Sequence, residues 1–245
     1  FRGIIMHLDV LVFSAHPDDA ELSMGGTIAM LTKNNFKVGL IDLTKGELGT
    51  RGTAETRQRE AFNAALVLKV ALRENLEIPD GNIQINKENI QKVIMTIRKY
   101  RPEIIFAPYK NDRHPDHIDA SNLVKRAFFY SGLHKIRTFD KEVPQNPFRP
   151  DKLFYFMQTY SFEPTFIVDI SETFDLKMKA IACYETQFHN PKSMEPETFI
   201  SRPEFLNYIR SRAEFFGFQI HKKYGEPFFS EEKIELDLLN ILNKS

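Results

Sequence analysis

Short apolar runs and amphipathic stretches alternate along the first half of the chain. Residues 8–15 (LDVLVFSA), 36–43 (FKVGLIDL) and 104–107 (IIFA) are apolar runs of strand length, the pattern of strands buried on both faces. Residues 21–33, 54–68, 87–100 and 116–130 carry helical periodicity; in 87–100, Ile90, Val93, Ile94 and Ile97 share one face. Residues 70–76 predict a short strand before the Pro79-Asp80-Gly81 turn. The stretch 44–53, with Gly46, Gly49 and Gly52, predicts a loop. Strands alternating with helices imply right-handed βαβ units. The expected fold is therefore α/β and Rossmann-like, a mostly parallel sheet flanked by helices.

The second half is less regular. Residues 139–150 hold Pro144, Pro147 and Pro150 and read as an irregular connection. Because strands resume at once (153–158 and 165–170), this is not a domain linker, and one domain over 6–245 is expected. Ser171 is placed as the N-cap of a helix over 173–184, and Pro203 near the start of another over 203–216. The tail 231–245 is polar with spaced leucines and is the least defined segment. Residues 1–5 read as a remnant or an over-extended start, and Met6 directly precedes the first strand.

The balance of 33 Lys+Arg against 33 Asp+Glu gives no net charge, which removes the electrostatic basis for a nucleic-acid or acidic-membrane partner. No apolar run approaches the roughly 18 residues of a membrane span, and no signal-peptide pattern is present, so a cytoplasmic location is expected. Cys183 is the single cysteine. An intrachain disulfide and a Cys-based zinc cluster are thereby excluded, and any metal must be held mainly by His, Asp or Glu. Cys183 lies in an apolar helical stretch and reads as a small buried hydrophobe. With no Trp and 22 Phe, the aromatic mass of the core falls to Phe and Tyr, and the Phe-rich segments read as core.

Two motifs carry chemistry. Ala15-His16-Pro17-Asp18-Asp19-Ala20-Glu21 follows the first strand, and Arg113-His114-Pro115-Asp116-His117 follows the strand ending at Ala107. Loops after parallel strands share the carboxyl edge of the sheet, where ligands bind, so both motifs are expected to face one crevice. His and carboxylate donors suit a catalytic divalent metal with three protein ligands and an open position. His16, Asp19 and His117 could supply the three, leaving Asp18 as a general base and His114 as an acid or oxyanion donor. Asp116 could orient such a His. Spacing alone does not separate His114 from His117. The structural alternative makes Asp18, Asp19 and Asp116 helix caps, but two such motifs at two strand ends argue against it. A dinucleotide-binding or metal-sensing module is disfavoured, since the turn after the first strand is acidic and lacks a Gly-x-Gly-x-x-Gly loop. A metal-dependent phosphoesterase or glycosidase is the competing enzyme class.

On these motifs, AHPDD and HPDH, the chain resembles the PIG-L/LmbE-like superfamily of zinc-dependent deacetylases of N-acetylglucosamine conjugates. Further stretches resemble its bacillithiol-biosynthesis branch, which deacetylates N-acetylglucosaminyl malate: Arg73-Glu74-Asn75-Leu76, Ile78-Pro79-Asp80-Gly81, Asp112 to His117, Arg126-Ala127-Phe128-Phe129 and Ser131-Gly132-Leu133. The resemblance implies zinc on His16, Asp19 and His117, and a His/His/Asp donor set accepts iron(II) as well. It further implies Asp18 as base, His114 as oxyanion or acid group oriented by Asp116, and a homo-oligomer, hexamers among relatives. One departure is Leu68-Lys69-Val70, where relatives often have Leu-Gly-Val.

An acetamido-sugar conjugate such as the malyl sugar carries carboxylates, for which an Arg fork is the natural partner. Arg51, in the Gly-rich loop, is the first candidate and Arg113 the second. Gln187, after the helix over 173–184, is a third substrate contact, with a helix-terminal polar cluster as its alternative. Glu226, in the Tyr224-Gly225-Glu226-Pro227-Phe228 motif, reads as structural.

Overall fold

The computed structural model describes residues 7–235; the readings of 1–5 and of 236–245 lie outside the described residues. The elements run β1 (Val10–Ser14), α1 (Asp19–Lys33), β2 (Val38–Asp42), α2 (Ala54–Leu68), β3 (Leu72–Asn75), α3 (Lys87–Tyr100), β4 (Ile104–Pro108) and α4 (Pro115–Ser131). They continue β5 (Phe139–Asp140), β6 (Val143–Pro144), β7 (Lys152–Phe156), β8 (Phe166–Asp169), α5 (Phe174–Ile181), α6 (Pro203–Gln219) and β9 (Gly225–Phe229). The expected single α/β domain with a mostly parallel sheet is what forms. Seven strands lie in the order β3-β2-β1-β4-β7-β9-β8. β3, β2, β1, β4 and β7 are parallel neighbours, and β9 is antiparallel to both β7 and β8.

Alternation along β1 divides the core. Val10 and Val12 face a cluster that includes Met24, Ile28, Ala64 and Ile181, from α1, α2 and α5. Leu11 and Phe13 face the opposite cluster with Val93, Ile97, Leu123 and Val124, from α3 and α4. Successive side chains of a strand point to opposite faces, so the apolar Val10–Phe13 run of β1 needs a helix layer on each side. β2 pairs with one edge of β1 and β4 with the other. The loops after β1 and β4 therefore flank the point where strand order reverses, the usual ligand crevice of such sheets.

The sequence pattern does not reveal β9. Glu226 is 1% exposed in a strand interior, and Pro227 cannot donate to a ladder. Pro227 is tolerated because β7 pairs only with Phe228 and Phe229, so at Pro227 the strand is paired on the β8 side alone. Glu226 repairs a break in α1. Met24 leaves helical geometry (φ −141°, ψ 23°), which frees backbone groups that must find other partners. The Glu226 carboxylate accepts the N–H groups of Gly26 (3.0 Å) and Thr27 (2.7 Å), and Lys177 Nζ donates to it at 2.6 Å. The Arg212 guanidinium donates to the freed Leu22 carbonyl at 3.0 Å.

Other departures are local. Ser171 does not cap α5: its hydroxyl donates to Asp169 and accepts the N–H groups of Lys223 and Tyr224, tying β8 to the turn before β9. The connection over 139–150 contains the two-residue hairpin β5–β6. Cys183 is half-buried at the edge of the first core cluster. Lys69, at the departure Leu68-Lys69-Val70, caps α2 in the left-handed region (φ 54°, ψ 37°). Glycine adopts that conformation without the penalty a Cβ brings.

Candidate functional site

The turn after β1 is strained. Asp18 sits at φ 109° and makes no side-chain cap to α1, so the capping alternative fails for it. A non-glycine residue held there costs free energy and persists only where neighbours enforce it. Arg57, buried in α2, is the enforcing group: its guanidinium donates to the carbonyls of Pro17 and Gly46, both at 2.8 Å, and stands 3.4 Å from the Asp18 carboxylate. Asp19 does not act as a cap either. Its carboxylate accepts the His16 backbone N–H at 2.9 Å, fixing its direction toward the imidazole.

The loop after β4 is organised by Asp112. One carboxylate oxygen accepts the His114 N–H and lies 2.8 Å from His117 Nδ1; the other accepts the N–H groups of Thr159 and Tyr160. His114 itself is the N-cap of α4, its Nδ1 accepting the Asp116 N–H at 3.2 Å, with Pro115 in the first turn. Neutral His114 must then carry its proton on Nε2.

Both motifs meet in one cavity of about 600 Å³, lined by His16, Asp18, Asp19, His114 and His117. Ligand atoms of His16, Asp19 and His117 all lie within 4.8 Å of one another. His16 Nδ1 is 3.7 Å and His117 Nε2 3.3 Å from Asp19 carboxylate oxygens. Ligands at zinc-like bond lengths in a tetrahedron stand about 3.3 Å apart, so the three fit a divalent ion with little rearrangement. The far nitrogens are anchored as metal-binding imidazoles require: His117 Nδ1 by Asp112, and His16 Nε2 by Asp80 (3.1 Å) and Asp116 (3.2 Å).

The sequence predicts that Asp116 orients His114. Its carboxylate instead faces His16 and accepts the Gly81 N–H at 2.8 Å. The reason is local: His114 already accepts the Asp116 backbone N–H, and the Gly81 N–H needs an acceptor. His16, His114 and Asp116 also form a second group close enough to hold an ion, but there the Asp116 carboxylate already accepts the Gly81 N–H and lies 3.2 Å from His16 Nε2.

Electrostatics shows a cluster short of positive charge. Burial disfavours the charged form of His16, yet Asp116, Asp80 and Asp19 outweigh it and push the imidazole up to about 10. His117 rises to about 9 for the same reason, burial being overcome by Asp19 and Asp112. Asp18 is raised as well, but by burial itself. Burial raises its carboxyl to about 7, with Arg57 opposing and Asp19 adding to the rise. His114 is shifted down by burial and by its His16 and His117 neighbours, which favours the neutral imidazole.

The rim holds the three residues expected to meet substrate. Arg51 is 4% exposed. Arg113 is exposed, its guanidinium 4.7 Å from the Phe199 ring centroid. Gln187 donates to the Arg51 carbonyl at 2.7 Å, holding the Gly-rich loop, and also lines the cavity. Leu22, Phe199, Ile200, Phe205 and Ile209 also line the cavity; Phe199 is half exposed and is therefore not core. Sequence reasoning misses Arg57, Asp80, Asp112 and Gln158, whose amide nitrogen is 3.1 Å from His117 Nε2. Three of the four follow strands β3, β4 and β7, so the carboxyl-edge rule could have found them.

Residues 11–128 match the PIG-L family model, described as GlcNAc-PI de-N-acetylase. The conserved protein TT1542 from Thermus thermophilus is similar in structure, with a TM-score of 0.83 and 34% identity over 94% of this chain and 98% of its own. A diacetylchitobiose deacetylase from Thermococcus kodakarensis is 29% identical over 89% of this chain and 80% of its own. A probable N-acetyl-alpha-D-glucosaminyl L-malate deacetylase 2 from Bacillus subtilis is 27% identical over 73% and 82%.

Proposed function

We propose, on the premise that this chain belongs to the PIG-L family, that it hydrolyses the acetamide of an N-acetylglucosamine conjugate, N-acetylglucosaminyl malate foremost. The observation that carries the reading is the convergence of His16, Asp19 and His117 with Asp18 and His114 on one cavity. His16, Asp19 and His117 would hold a divalent ion, zinc or iron(II) by their donor set. When bound, such an ion supplies Lewis-acid polarisation of the carbonyl and acidifies water beside it.

The chain's own groups supply the proton chemistry. Asp18 takes a proton from the attacking water; a carboxylate whose proton affinity is raised by burial suits base catalysis near neutrality. Arg57 fixes that carboxylate within the strained turn. His114, neutral with its proton on Nε2, donates to the carbonyl oxygen as negative charge develops there. The C–N bond breaks as Asp18 passes the proton it took from water to the leaving nitrogen, so that acetate and the free amine are released and the Asp18 carboxylate is restored. Buried Arg51 and exposed Arg113 are the groups for a carboxylate of the aglycone, and similarity to a relative described as a probable N-acetyl-alpha-D-glucosaminyl L-malate deacetylase supports that choice.

The test is acetate release from N-acetylglucosaminyl malate, N,N'-diacetylchitobiose and free N-acetylglucosamine, beside assays for phosphate and reducing-sugar release from matched esters and glycosides. The expected result is acetate from the conjugates, fastest from the malyl sugar, and neither phosphate nor new reducing ends. Phosphate or reducing-sugar release without acetate would move the chain to the competing hydrolase class.

A further inference from the structure

Arg51 is a buried guanidinium with donors left over. It is 4% exposed, its Nε has no hydrogen-bond partner, and its guanidinium donates to no group among the described residues. Leaving such a group buried is costly unless an anion meets it. One carboxylate is at hand. Glu195 Oε2 stands 3.6 Å from Arg51 Nε, beyond hydrogen-bond reach. Its Oε1 accepts the Gly52 N–H at 2.7 Å. Gly52 holds φ +72°, a conformation that glycine adopts without strain, and its N–H and the Arg51 Nε approach the same carboxylate. A guanidinium and a backbone N–H converging on one carboxylate make an anion subsite. Of its members, Arg51 lines the cavity that holds the His/Asp group.

Glu195 is not built into the fold as Glu226 is. Its side chain is 40% exposed and belongs to the stretch 190–202, which has neither helix nor strand. We propose that Glu195 is a specificity-determining residue that occupies, from within the chain, the position a carboxylate of the aglycone takes. An anionic aglycone binds by displacing Glu195 from Arg51 and Gly52, whereas a neutral aglycone leaves it in place. The displacement and the repulsion of like charge both weaken binding of the anionic substrate. This deepens, and rests on, the reading of the cavity as an acetamido-sugar site.

The test is kcat/KM for N-acetylglucosaminyl malate and for N,N'-diacetylchitobiose in wild type, Glu195→Gln and Glu197→Gln. Gln keeps an acceptor for the Gly52 N–H but removes the charge. Glu197, which pairs with Arg202 on the surface of the same stretch, is the control. In Glu195→Gln the malyl-to-chitobiose ratio rises about tenfold through KM, the change a single charge-assisted contact supplies; Glu197→Gln keeps the wild-type ratio. An unchanged ratio in Glu195→Gln, or an equal shift in both variants, overturns the proposal. If wild type releases acetate from neither sugar, the deacetylase reading fails on its own, and calorimetric titration with L-malate decides the subsite. Binding about tenfold tighter in Glu195→Gln than in wild type supports it, and equal binding overturns it.

Discussion

Asp18→Asn is expected to lower kcat on an acetamido sugar by about 10²–10⁴-fold, the usual range for loss of a general base, while the protein keeps its bound metal. Asparagine is the informative replacement. It tolerates the left-handed region better than alanine, so the turn at φ 109° survives. Its amide oxygen can still face Arg57, but it cannot take a proton. The division of labour in the cavity makes the outcome specific. Asp19 faces both imidazoles, whereas Asp18 faces Arg57. Metal content by atomic absorption, measured beside kcat, separates the two roles. Loss of the metal from Asp18→Asn, or a fall in kcat of less than about tenfold, would contradict the assignment.

The largest effect on stability is expected at Glu226. Glu226→Leu strands the Lys177 ammonium, which is 2% exposed, and leaves the N–H groups of Gly26 and Thr27 without their acceptor. Removing one partner of a buried ion pair costs about 3–5 kcal/mol, or roughly 6–20 °C in Tm for a chain of this size. The double variant Lys177→Met/Glu226→Leu should be more stable than Glu226→Leu alone, because no unpaired charge remains; the orphaned N–H groups keep it below wild type. Denaturant unfolding of both variants checks this. A double variant less stable than Glu226→Leu would mean that Lys177 is held by something other than the Glu226 charge.

The legible half of this molecule is the local half. β1, β2 and β4 are apolar runs buried on both faces, and each βα unit is closed within a short stretch of chain, so pattern and spacing suffice. The carboxyl-edge rule places the two His/Asp motifs in one crevice, and the structure brings His16, Asp19 and His117 together there. What escapes is set by contacts distant in sequence. β9 breaks strand composition with Gly225, Glu226 and Pro227, and is stabilised by α1 and α5. Arg57 looks like a solvated helical charge until the loops after β1 and β2 close over it. Asp80 reads as a turn residue because its partner, His16, lies on another strand's loop. The carboxylate of Asp116 is naturally assigned to its sequence neighbour His114, although the backbone of α4 already satisfies that neighbour.

The central claim is that one divalent ion, held by His16, Asp19 and His117, makes this cavity a deacetylase. Its most direct test is a titration of zinc into chelator-treated wild-type protein, with acetate release from N-acetylglucosaminyl malate or N,N'-diacetylchitobiose followed at each addition. Negligible release is expected at the start, followed by a linear rise that breaks at one equivalent per chain. Full activity in the chelated protein, or metal uptake at one equivalent with no acetate released from any acetamido sugar, would contradict it.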